Sequence, residues 1–115
     1  MKVSRYSDTE TIQDVKGVFR RDVLTADDGA TVVCMQVIEI SSQSSTPSHY
    51  HPWEHELFII SGKGLAVGNE GSIPIEQGTI VFIPANEPHC FVNTGNDTLR
   101  FICIEPLKKE EDETV

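Results

Sequence analysis

An all-β sandwich or barrel is the fold class this chain predicts, on three observations. Short runs of β-branched and aromatic residues recur along it, clusters of Gly, Pro, Asn and Asp separate the runs, and helical periodicity is nowhere sustained. With 115 residues the chain can bury about two thirds of its unfolded surface. One domain spanning 1–115, with N-terminal strands within 1–40, is therefore expected.

The elements follow in order. A strand over 17–24 opens at Gly17 and carries Val18, Phe19, Val23 and Leu24; the long run 31–40 follows, with Asp27-Asp28-Gly29 as the expected hairpin turn between them. Residues 41–48 are Ser-rich without an apolar period and read as a loop. A short strand over 48–51 carries His49 and His51, and Pro52-Trp53-Glu54 breaks it before the apolar run 55–61. Strands over 64–68 and 72–75 flank the turn Gly68-Asn69-Glu70-Gly71, and 79–83 ends at the break Pro84 to Pro88. Strands over 89–93 and 98–105 enclose the turn Asn93 to Asp97, and the charged tail 108–115 is expected to be disordered.

Alternation along 55–61 has a consequence for assembly. If His55, Leu57 and Ile59 point inward, Phe58 and Ile60 point outward and need cover. A second copy of the chain, giving a homodimer, is the simplest cover; an N-terminal strand of the same chain is the other.

A net charge of −9 and a pI near 4.7 argue against nucleic acid or an anionic membrane surface as partner, since phosphates would be repelled. Cys34, Cys90 and Cys103 leave one thiol over in any disulfide scheme, no charged-then-apolar signal segment follows Met1, and no apolar stretch approaches bilayer length. A cytoplasmic location is expected.

The four histidines carry the chemistry. Side chains at i and i+2 of a strand share a face, so His49 and His51 can converge on one ion. His55 arrives after the Pro52 break and His89 from a distant strand after Pro88. Pro47 and Pro52 exclude a helical zinc motif through this cluster. Neutral imidazole suits Zn, Cu, Fe and Ni. Phe91 shares a face with His89, and Phe101 shares one with Cys103, so these are candidate walls of a substrate pocket; Trp53 is placed at its mouth beside Tyr50.

These residues resemble the cupins, small β-barrels with two motifs around a metal. In the first motif His49, His51 and Gly62 match, Gln43 replaces the opening Gly, and His55 stands where a carboxylate ligand usually lies. In the second, Gly78, Pro84, His89 and Asn93 match, while Asn86 takes the place of the turn glycine. Asn tolerates a left-handed backbone, so that turn can survive. The similarity spans about 43–105. The stretch from His49 to Glu56 is similar to a subset of small single-domain cupins that hold manganese or another divalent metal with four histidines. That resemblance implies a jelly-roll barrel, usually a dimer, with metal ligands His49, His51, His55 and His89. Glu56 ranks below His55 as a ligand, because strand alternation turns it away if His55 faces in.

Four neutral imidazoles leave a divalent ion its full charge, which favours anionic guests such as enolates, carboxylates or hydroxide. An octahedral ion would keep two open positions. The leading expectation is a metalloenzyme with dioxygenase-like oxidoreductase activity on a small organic substrate. A non-catalytic small-molecule or metal-binding module, and a lyase or isomerase of sugars or carboxylic acids, are the alternatives.

Overall fold

The computed structural model describes residues 1–107; the tail expected to be disordered lies outside the described residues. Among the described residues nine strands form, in the order β1 (Ile12–Val15), β2 (Val18–Leu24), β3 (Val33–Ile40), β4 (His55–Ser61), β5 (Lys63–Gly68), β6 (Gly71–Glu76), β7 (Ile80–Ile83), β8 (Cys90–Asn93) and β9 (Leu99–Pro106). Six make one antiparallel sheet in the order β1-β2-β3-β9-β4-β7, and three make a second in the order β6-β5-β8. Both sheets feed one core, in which Ile40 of β3, Ile59 of β4, Ile75 of β6, Phe91 of β8 and Leu99 of β9 are buried. This is an all-β, jelly-roll-like fold.

Burial alternates along β4. His55, Leu57 and Ile59 are buried while Glu56 and Phe58 are exposed. Phe58 pairs with Ile80 and Glu56 with Phe82 across β4 and β7. Phe58, Ile80 and Phe82 are 48%, 77% and 55% exposed, so among the described residues this apolar face of the sheet is uncovered. Strand β1 does not cover it, since it pairs with β2 at the other edge of the sheet.

Three local expectations are corrected. Residues 48–51 do not form a regular strand; Pro47 and Pro52 bracket them and lack the N–H a ladder needs. What remains is a single bridge, in which His49 N donates to His89 O at 3.1 Å and His89 N to His49 O at 2.9 Å. Residues 27–29 do lie in the hairpin connection between antiparallel β2 and β3, but that connection winds through a one-turn 3-10 helix, Ala26–Asp28, because Thr25 caps it: the Asp27 N–H donates to Thr25 Oγ1 at 3.2 Å and the Thr25 N–H to Asp28 Oδ2 at 2.9 Å. Strand β1 was not expected, its four residues being exposed and half polar.

Two special backbone positions shape the site. Gly17, between β1 and β2, has φ +79°, and a Cβ there would lie 2.1 Å from Ser44 Oγ. Asn86 adopts φ 69°, left-handed as its place in the second motif implied, and its N–H donates to His51 O at 2.6 Å. The turn between β7 and β8 is thus tied to the histidine loop. Among the described residues no helix is long and apolar enough to cross a membrane.

Candidate metal centre

Three of the histidines meet. One ligand nitrogen from each of His49, His51 and His89 lies within 4.8 Å of the others. Each is brought by a different device: the backbone bridge to His89 places His49, the Asn86 bond places His51, and the start of β8 places His89. Ring centroids of His49 and His51 stand 4.6 Å apart, and those of His49 and His89 4.7 Å. His89 is buried, His51 half-buried and His49 exposed, so the cluster opens to one side.

The triad suits a divalent cation. Backbone carbonyls only accept, so His49 Nδ1, 2.8 Å from Pro47 O, and His89 Nδ1, 2.9 Å from Glu87 O, each carry the proton. Both rings then present a lone pair on Nε2, as a metal ligand must. Burial, reinforced by the neighbouring His55, His49 and His89, holds His51 down to about 4 against the pull of Glu105. His89 is lowered too, first by burial; its bond to Glu87 opposes this, and His49 and His55 add to the lowering. Neutral imidazoles at pH 7 are the ligating form. Neighbouring ligands on a tetrahedral ion with bonds near 2.1 Å stand about 3.4 Å apart, so side-chain adjustments on the order of 1 Å would bring the three nitrogens onto one ion.

His55 is placed differently. It is buried at the start of β4, and its ring stacks on His51 with centroids 4.7 Å apart, yet its Nε2 lies 2.9 Å from Glu105 Oε2 and 2.9 Å from Trp53 Nε1. The Trp53 N–H also reaches Glu105 Oε2 at 3.1 Å. The Trp53 indole lies flat on His51 at 4.6 Å with 4° between planes.

The histidines open into a cavity of about 400 Å³, a size that suits a small organic molecule. Phe91, Phe101, Cys103 and Trp53 all line it. The Phe91 and Phe101 rings pack at a 47° tilt with centroids 5.1 Å apart, and Cys103 Sγ is 3.9 Å from His55 Nδ1. Glu56 faces away from this cavity, and Tyr50 is 65% exposed.

Sequence reasoning missed Arg20, Gln36 and Glu105, which line the same cavity. Parity was the available signal for Glu105, which stands two residues past Cys103 on β9. Arg20 and Gln36 alternate in the same way with Val18 and Ile38.

Residues 36–105 match the family described as the cupin domain, and the chain belongs to that family. It is 36% identical over 62 residues to an oxalate-binding protein of Thermotoga maritima, covering 53% of this chain and 51% of that one. It is 33% identical over 75 residues to a glucose-6-phosphate isomerase of Thermococcus onnurineus, covering 58% of this chain and 40% of that one. The chain thus spans about half or less of these two relatives. The polyketide cyclase RemF from Streptomyces resistomycificus superposes with a TM-score of 0.87 at 30% identity, covering 96% of this chain and 82% of that one.

Proposed function

We propose that this chain is a metal-dependent cupin enzyme acting on a small, oxygen-rich organic substrate. The observation that carries the reading is the convergence of His49, His51 and His89 nitrogens in the lining of a largely apolar cavity. These three residues would hold the cation, with His55, whose Nε2 lies 2.9 Å from Glu105 Oε2, as the fourth ligand. A divalent ion there supplies Lewis-acid polarisation of a carbonyl or carboxylate oxygen. Manganese is the proposed metal, by resemblance, with Fe, Ni, Cu and Zn as alternatives that the same imidazoles accept. Phe91 and Phe101 pack the substrate's apolar body and exclude water. Glu105 Oε2, beside His55 and Trp53, takes up a proton released from a substrate carbon.

Two reaction types fit this site. Redox-neutral ring closure or enolisation is favoured by the similarity to a polyketide cyclase along nearly the whole chain. Dioxygenase-like oxidation, the expectation from the sequence, uses the same histidines and cavity and consumes oxygen. Metal-loaded protein should convert members of a panel of β-diketones, enols and phenolics, with conversion lost in His89→Ala; an oxygen electrode separates the two types. An unchanged ligand recovered from the purified protein, with no conversion across the panel, would instead make it a binding module.

The working unit in this reading is a cytoplasmic homodimer. Its interface is the face carrying Phe58, Ile80 and Phe82, and a clean monomer mass by size exclusion with light scattering would remove it.

A further inference from the structure

The cavity has a second polar wall, remote in sequence from the histidines. It is built on β2 and β3. Cross-strand register puts Arg20 opposite Ile38, which stands opposite Phe101, and puts Asp22 opposite Gln36, which stands opposite Cys103. Since Phe101 and Cys103 are buried core residues, Arg20, Asp22 and Gln36 occupy the inward rows of the sheet. Apolar side chains are the ordinary occupants of such positions. Arg20 and Gln36 both line the cavity.

A purely structural role would use these groups up in internal bonds. That is only half the case. Arg20 Nη1 donates to Asp22 Oδ1 at 3.2 Å and Oδ2 at 3.3 Å, and Gln36 Nε2 donates to Asp22 Oδ1 at 3.2 Å. Arg20 Nε is buried without a hydrogen bond; Asp14 Oδ1 lies 3.4 Å away, an ion-pair separation without hydrogen-bond alignment. Among the described residues nothing bonds Arg20 Nη2 or Gln36 Oε1. The wall therefore keeps N–H donors on Arg20 and an acceptor oxygen on Gln36 beyond what the fold consumes.

Charge decides what these groups can take. Two carboxylates, Asp14 and Asp22, flank one guanidinium, so the wall is net negative and disfavours a second carboxylate or a phosphate. A neutral oxygen function avoids that repulsion. A carbonyl accepts from Arg20, and a phenolic hydroxyl both accepts from Arg20 and donates to Gln36 Oε1. Ile38, Phe91 and Phe101 line the same cavity and give it an apolar surface beside this wall.

We propose that Arg20 and Gln36 form a specificity site for a neutral carbonyl or hydroxyl group of the substrate other than the one directed to the metal. The substrate class is then an apolar or aromatic body with at least two separate oxygen functions. This rests on the metal-dependent reading above and narrows its substrate.

The test compares benzoylacetone, a β-diketone with a bare phenyl ring, with its 3- and 4-hydroxyphenyl derivatives, titrated into Mn(II)-loaded protein by calorimetry. The readout is the ratio of dissociation constants for bare and hydroxylated rings, which cancels general damage to the fold. At least one hydroxylated probe should bind about tenfold more tightly than benzoylacetone, and the ratio should fall to near one in Arg20→Ala and in Gln36→Leu. Gln36→Leu keeps the side-chain size and decides the matter if Arg20→Ala does not fold. A ratio near one in the unaltered protein, or a ratio that survives in the variants, overturns the inference alone. No binding of any of these diketones to the Mn(II)-loaded protein overturns the metal-dependent reading and this inference with it.

Discussion

Replacing Asn93 by Leu should cost this fold much of its stability while sparing the metal site. Asn93 is 1% exposed, yet every polar atom of its side chain is engaged. Its Nδ2 donates to Ile40 O and to Asp97 O, both at 2.8 Å, and its Oδ1 accepts from Gly95 N at 2.9 Å. The amide ties the end of β8 to the end of β3 and closes the loop that leads into β9. Leucine has similar volume but leaves two carbonyls and one N–H without this partner, each worth about 1–3 kcal/mol when buried. Leucine's own apolar burial returns about 2 kcal/mol, so the expected net loss is about 4 kcal/mol. Domains of this size have roughly 5–15 kcal/mol in total, and the loss corresponds to a fall in Tm of roughly 15 °C. Urea denaturation followed by far-UV circular dichroism measures it, with Asn93→Asp, which keeps the acceptor and loses the donors, as an intermediate case. Because Asn93 bonds to none of the histidines, metal stoichiometry at low temperature should be unchanged. A loss under about 1 kcal/mol would refute the reasoning.

Three further outcomes are expected. His55→Ala should weaken Mn(II) affinity at least about tenfold, as read by competition with a chelating dye; full affinity would leave a ligand set of His49, His51 and His89 only. Metal-free protein should lose stability as pH falls from 7 to 5. His51 and His89 titrate lower in the fold than in the unfolded chain, whose histidines titrate near 6.5, so below that value the unfolded state takes up protons the fold refuses. The contribution is complete above about 6.5 and is lost as pH drops toward the His51 value of about 4; a flat urea midpoint across this window contradicts it. Gly17→Ala should lower the urea midpoint by at least the equivalent of about 1 kcal/mol, since the new methyl meets Ser44 at a left-handed position, and a neutral result would show that the loop carrying Ser44 yields freely.

How much was legible in the sequence depended on the range of the interaction involved. Strand β4 was readable to the residue, because alternation and its flanking breaks are local properties of His55 to Ser61. The histidine spacing was readable for the same reason, although the strand drawn through His49 and His51 was not: two prolines left room only for a bridge. Strand β1 was invisible because nothing in its own residues demands burial, and only pairing with β2 makes it a strand. The engagement of His55 by Glu105 depends on the register that sets β9 beside β4, which no local pattern specifies. Arg20 and Gln36 were hidden by their polarity, since inward positions are sought among apolar residues.

The mutual backbone bonds between His49 and His89 act as a clasp on a long excursion of chain that contains β4 through β7. Its two halves are held by peptide groups before any side chain takes part, so the imidazoles are preset rather than gathered by their guest. A cation gripping both rings would lock that clasp. The amide protons of His49 and His89 should then be among those whose solvent exchange slows most on loading, a fingerprint that reports occupancy without any knowledge of the reaction.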